Sequence, residues 1–208
     1  MSDEPNSNIK IILLGESKVG KTNLINTYFD KPFIEELGRT EQYGDLKREV
    51  EINNKRFTIN IWDTVGSEQY RSIAKNYLRG AHIVIFVYDI TRKDTFYELN
   101  YWINLVVEEL GDNLVFGLAA NKNDLYLEEK VSTSEGKSEA KRINAIFSET
   151  SAKVNPKTFE ELVLKLLGKL FKKNNIIQKE EDISGMKIIN RLVEENSKLK
   201  KQKKKNCC

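Results

Sequence analysis

Apolar and polar positions along the chain switch between two periods. Residues 9–14 form a short apolar run that ends in a Gly-rich turn, which suits a buried parallel strand. Residues 50–52 and 57–62 alternate apolar with polar, and Asn53-Asn54 stands between them as a turn, so a hairpin is expected. Residues 82–88 and 114–120 read as two more apolar strands, and 146–149 as a short last one. Helical stripes fall between them: Phe96, Leu99, Ile103, Val106, Val107 and Leu110, then Phe159, Leu162, Val163, Leu166, Leu167 and Leu170. The second stripe has a start signal, Asn155 as cap and Pro156 at the first helical position. Strands alternating with helices imply an α/β domain with a mostly parallel sheet covered on both faces. The pattern fades after about Lys172. In the polar stretch 174–206 it offers a short amphipathic helix near 186–195, against a flexible linker.

Composition narrows the class. The chain has 208 residues, 39% hydrophobic and 31% charged, the profile of a globular domain with a modest extension. No apolar run approaches the roughly 18 residues of a membrane-spanning helix. The polar, acidic first ten residues give no secretory signal. The net charge of +3 is unevenly spread. Six lysines (198, 200, 201, 203, 204, 205) lie near the end, which leaves about −3 for the rest. The folded body therefore lacks the basic character of a nucleic-acid binder. The two cysteines are neighbours, Cys207 and Cys208, and cannot staple a core, so a cytosolic setting is expected.

Four segments at strand ends carry the chemistry. Gly15-Glu16-Ser17-Lys18-Val19-Gly20-Lys21-Thr22 fits G-x-x-x-x-G-K-[ST] between a predicted strand and a predicted helix. Its glycines let backbone N–H groups from Ser17, Lys18, Val19, Gly20, Lys21, Thr22 and Asn23 wrap phosphates at a helix N-terminus. Lys21 would reach the β- and γ-phosphates, and the Thr22 hydroxyl would bind Mg²⁺. In Trp62-Asp63-Thr64-Val65-Gly66, Asp63 can hold Mg²⁺ and the Gly66 N–H can sense the γ-phosphate. In Asn121-Lys122-Asn123-Asp124, the Asp124 carboxylate can accept both N–H groups on guanine's pyrimidine edge. Adenine offers no such pair, which disfavours an ATP-dependent enzyme. Glu149-Thr150-Ser151-Ala152-Lys153 after the last strand would close the base pocket.

With these motifs in this order, residues 9–171 resemble the Ras superfamily of small GTPases. Ile61-Trp62-Asp63-Thr64, Gly80-Ala81-His82, Val87-Tyr88-Asp89-Ile90-Thr91 and the paired cysteines resemble its Rab branch most. The resemblance implies a P-loop G domain over 9–172, with six strands, one antiparallel, and five helices on both faces. Residues 1–8 would be a flexible N-terminus, and 173–208 a flexible, variable tail. It further implies bound GTP or GDP with Mg²⁺ and a switch in vesicle trafficking on the cytoplasmic face of intracellular membranes, cycling with the cytosol. Phe33 would pack on the guanine ring. Thr40 would offer its hydroxyl to Mg²⁺ and its N–H to the γ-phosphate, so that hydrolysis releases both switch loops. Cys207-Cys208 resembles a double geranylgeranylation signal rather than C-a-a-X, and the lysines beside it would attract anionic lipid. Escort and GDI-type chaperones, an exchange factor, an activator and effectors are the implied protein partners.

Four positions depart from the family pattern. Ser67 stands where family members carry the Gln that orients the attacking water, and serine is too short to reach it. Very slow intrinsic hydrolysis is expected, unless Glu68 or Gln69 substitutes after a loop shift. In the extreme the chain would be a nucleotide-loaded membrane scaffold. Rab-type activators supply both an Arg and a Gln, so assisted hydrolysis would survive. Lys18 replaces a common glycine; it either adds a cation beside the phosphates or, the preferred reading, points to solvent. Asp45 takes the place of a phenylalanine that would join Trp62 and Tyr77 in an aromatic trio for effectors, so ordinary Rab effectors should bind poorly. Leu37 replaces a tyrosine, which weakens closure over the phosphates.

Overall fold

The computed structural model describes residues 7–35, 45–52, 55–63, 77–111, 113–176 and 187–192. Its strands are β1 (Ser7–Leu14), β2 (Asp45–Ile52), β3 (Lys55–Trp62), β4 (Ile83–Asp89), β5 (Val115–Asn121), β6 (Ile146–Glu149) and β7 (Lys187–Leu192). Five α-helices lie among the described residues: α1 (Lys21–Tyr28), α2 (Lys93–Tyr97), α3 (Leu99–Leu110), α4 (Thr133–Arg142) and α5 (Lys157–Lys173). The sheet order is β6-β5-β4-β1-β3-β2-β7. β1 pairs in parallel with β3 and β4, and β4, β5 and β6 continue in parallel. β2 runs antiparallel to β3, the one reversed strand of the expected six. The 53–54 turn itself lies outside the described residues.

Both faces of this sheet are covered. β1 shows the division: Ile9, Ile11 and Leu13 join the layer beneath α1 and α5, while Ile12 and Leu14 join the layer with Trp102 and Val106 of α3. Every residue of β4 and β5 is buried, the reason those strands read as unbroken apolar runs. The six apolar positions singled out on α5 are all buried. Pro156 takes helical angles (φ −59°, ψ −25°) just before α5, and no side chain caps that end. The α4 start is a full capping box between Ser132 and Glu135.

Two elements differ from the sequence expectation. The single stripe from Phe96 to Leu110 is split at Glu98 into α2 and α3, and Val107 is 43% exposed rather than core. On α3, Leu99, Trp102, Ile103 and Val106 are buried, and Val107 lies at the rim of that face. The second difference lies in the tail. The offered helix near 186–195 is instead a strand, β7, which pairs antiparallel with the outer edge of β2 and makes a seven-stranded sheet. The apolar residues there fit helical spacing, but pairing with an open sheet edge outweighs that weak preference.

Candidate functional site

The site lies at the C-terminal ends of β1, β3, β4, β5 and β6, where open α/β sheets bind ligands. β1 ends in the tight loop 15–20. Gly15 (φ +151°) is pressed against β4 so closely that a Cβ would stand 2.1 Å from the Val87 carbonyl oxygen. Gly20 (φ +97°) is equally confined, since a Cβ there would meet the Asn121 side-chain nitrogen at 2.4 Å. Only glycine fits either position without displacing a neighbour. Lys18 is exposed and left-handed (φ 65°), which agrees with the solvent-facing reading.

Lys21 opens α1 and is 5% exposed. Its ammonium donates to the carbonyl oxygens of Gly15 (2.7 Å) and Glu16 (2.9 Å), which aims it across the loop. Burial pushes its pKa down to about 8, partly opposed by the negative charges of Asp63 and Glu16. The Thr22 hydroxyl donates to Asp63 Oδ2 at 2.6 Å, joining the start of α1 to the end of β3 across 41 residues. A hydroxyl and a buried carboxylate at the mouth of a phosphate loop are the hard oxygen donors that Mg²⁺ takes while keeping its waters. This donor pair fits the ion. The third expected ligand, Thr40, lies outside the described residues, as do Gly66, Ser67, Glu68, Gln69, Leu37, Cys207 and Cys208.

The base side is knitted from β5, β6 and the loops after them. Asn121 is buried; its Nδ2 donates to the Val19 carbonyl (2.8 Å) and its Oδ1 accepts from the Thr150 hydroxyl (3.1 Å). One amide therefore ties the phosphate loop to both base-side loops. Asn123 N–H donates to the Thr150 carbonyl, and Thr150 N–H to that of Ala120. Asp124 accepts from the Ser151 hydroxyl at 2.6 Å, and Ser151 Oγ accepts from Val154 N–H at 3.0 Å. Lys122 forms an ion pair with buried Asp89 at 2.6 Å. Ala152 is buried beneath this loop.

The approach to the first switch segment closes over the same side. Asn23, buried on α1, holds the Ile34 backbone with both ends of its amide: Nδ2 donates to the carbonyl (2.8 Å) and Oδ1 accepts the N–H (3.1 Å). Phe33 is half-buried against the α1/α5 core layer, and Lys153 reaches Glu35 at 2.7 Å. Trp62 and Tyr77 do meet, with ring centroids 5.8 Å apart, and Asp45 stands opposite Trp62 in the β2–β3 register.

Several supporting residues escape a reading of motifs. The indole N–H of buried Trp102 donates to Glu16 Oε1 (3.1 Å), and Arg92 Nη1 donates to the Ser17 carbonyl (3.2 Å). Asp89 and Glu35 also act at long range, and Thr150, within the expected 149–153 segment, bonds Asn121. Of the residues outside the motifs, only Asp89 and Arg92 carried a local signal, as the last residue of an apolar strand and the cation just beyond it.

Residues 10–172 match the Ras family along their whole length. The chain belongs to the Ras family. It is 39% identical to the Ras-related protein Rab-2B of Dictyostelium discoideum over 164 residues, 77% of this chain and 81% of the relative. It is 36% identical to the Ras-related protein Rab-21 of the same organism over 166 residues, 80% of this chain and 77% of that one. These likenesses put it in the Rab branch of the Ras superfamily, and as such it is a small GTPase, a GTP hydrolase.

Proposed function

We propose that this Rab-branch GTPase binds GTP and GDP with Mg²⁺ and serves as a membrane-anchored switch in intracellular vesicle trafficking, with slow hydrolysis of its own. The observation that carries the nucleotide reading is the buried Asn121 amide, bonded to both Val19 and Thr150. It makes the phosphate loop and the base loops one body. Ser17 to Asn23 would present their N–H groups to phosphate, and Lys21 would supply the charge. Asp124, oriented by Ser151, would read guanine, with Phe33, Asn121, Lys122, Ala152 and Lys153 around the ring. Thr22, Asp63 and Thr40 would hold Mg²⁺, which screens phosphate charge when bound.

Ser67 supports slow intrinsic hydrolysis, because a serine side chain is too short to orient the attacking water. The test is single-turnover phosphate release from the purified protein beside Ser67→Gln. The variant is expected to be about tenfold faster or more, the scale of a water-positioning group; equal rates would discard the idea. Ser67 also favours a second reading, a GTP-loaded scaffold that hardly turns over. Phosphate release followed over hours, with and without a Rab-type activator, separates the two: activator-driven release identifies the switch.

Cys207 and Cys208 would carry the geranylgeranyl chains, with the adjacent lysines adding roughly 1 kcal/mol each at an anionic surface. Escort and GDI-type chaperones, an exchange factor and effectors complete the cycle between membrane and cytosol. A fluorescently tagged chain should sit on internal membranes and become diffuse when both cysteines are changed to serine.

A further inference from the structure

The outer edge of β2 is covered by the chain's own tail. Toward β3, all eight residues of β2 have register partners, from Asp45↔Trp62 to Ile52↔Lys55. Toward β7 only four do: Arg48↔Leu192, Glu49↔Ile189, Val50↔Ile188 and Glu51↔Lys187. The register breaks between Arg48 and Glu49, where the tail strand carries two extra residues. A bulge of this kind interrupts the ladder, so the outer pairing is the less complete of the two. Among the described residues, β7 ends the sheet. Were it absent, β2 would present a row of unpaired N–H and C=O groups, a template for another chain. The register also matches residue types, apolar Ile188 opposite Val50 and basic Lys187 opposite acidic Glu51.

We propose that the outer edge of β2 is a strand-acceptor surface that the chain fills with its own segment Lys187–Leu192, so that an extended partner segment can dock there only by displacing it. The partner this edge fits has a basic residue opposite Glu51 and an apolar one opposite Val50. Main-chain bonds supply affinity in such strand addition, and residue types at alternate positions supply selectivity. The tail holds the edge at high effective concentration, because only residues 177–186 separate the described end of the α5 region from β7. β2 also follows directly on residues 36–44, which include Thr40, so a strand on this edge lies next in sequence to the first switch segment.

Occupancy of the edge also sets the length of the tether. Fourteen residues separate Leu192 from Cys207, against thirty from Ile176. At full extension these span about 50 Å and about 105 Å. Release of β7 therefore doubles the reach as it uncovers the edge. This consequence for anchoring rests on the lipidation reading; strand docking does not.

The test compares the full chain with an Ile188→Pro/Ile189→Pro variant. Proline removes two successive backbone N–H groups, one of which faces β2 in either phase. Amide hydrogen exchange is read over 45–52, with β4 and β5 as the check on folding. A fluorescent synthetic peptide of residues 184–195 is titrated by anisotropy. The variant should exchange about tenfold faster over 45–52 with β4 and β5 unchanged, and it alone should bind the peptide. A Lys187→Glu peptide should bind it several-fold more weakly, and Lys187→Glu in the full chain should raise exchange over 45–52 to an intermediate degree. Equal exchange over 45–52 in all three proteins, or peptide binding to wild type and variant alike or to neither, would overturn the proposal.

Discussion

At the base end of the proposed nucleotide cleft, Asn121, Thr150, Ser151 and Asp124 are bonded to one another and, through Val19, to the phosphate loop. At the phosphate end, Lys21, Thr22 and Asp63 bring a cation, a hydroxyl and a carboxylate together where two switch segments begin. The first arrangement is a mesh of hydrogen bonds that orients one carboxylate. The second is a charged cluster whose balance depends on what it holds. A base reader built this way is rigid before binding, whereas the phosphate end has its affinity tuned by ions and protons.

Four changes would break or sharpen that contrast, in descending size. Asp124→Ala removes a charged acceptor of two N–H groups, so guanine nucleotide affinity should fall about 100-fold or more, with or without Mg²⁺. Fluorescent GDP titration checks it, and retained preference over ADP would refute the assignment. Thr22→Ala should lose the Mg²⁺-dependent part instead. Chelation should speed GDP release by about 100-fold in wild type, by the scale of metal–phosphate stabilisation, and by far less in the variant.

The third change is in pH. With the free Lys21 pKa pushed down to about 8 by burial, binding a phosphate above that pH requires taking up a proton. Nucleotide affinity should therefore be flat below pH 8 and fall toward about tenfold per unit above it. Lys21→Arg should abolish the slope, because a guanidinium stays charged; titrations at pH 7.5 and 9 decide this. The smallest effect concerns Lys18, left-handed at φ 65° and exposed. Lys18→Gly should raise stability by about 0.5–1 kcal/mol, relief of the left-handed cost less the extra chain entropy of glycine. Thermal unfolding without nucleotide measures it, and a lower midpoint would contradict it.

Both ends were legible in sequence: Asp63 at the phosphate end and Asn121 and Asp124 at the base end stand just after or at strand ends, and a strand is marked by local period alone. Their partners are distant: Asn121 reaches Val19 across 102 residues and Lys153 reaches Glu35 across 118, contacts no window contains. Phe96 to Leu110 kept helical spacing through Glu98, so neither the break there nor the exposure of Val107 left a trace in the pattern. Residues 187–192 failed for a related reason. Their spacing suits a helix, and only the open edge of β2, set by the β3 pairing, makes a strand of them. Local periodicity specifies what a segment can bury; a neighbour's unpaired backbone decides between the outcomes.

The hydrogen bond from Trp102 to Glu16 has a spectroscopic side. The chain has two tryptophans, and the other, Trp62, has its ring 4.3 Å from the Lys10 ammonium. In a Trp62→Phe background the remaining indole is the buried one, bonded at 3.1 Å to a carboxylate of the phosphate loop. Its emission becomes a built-in optical gauge of that loop, so loading and release can be timed in the unlabelled protein.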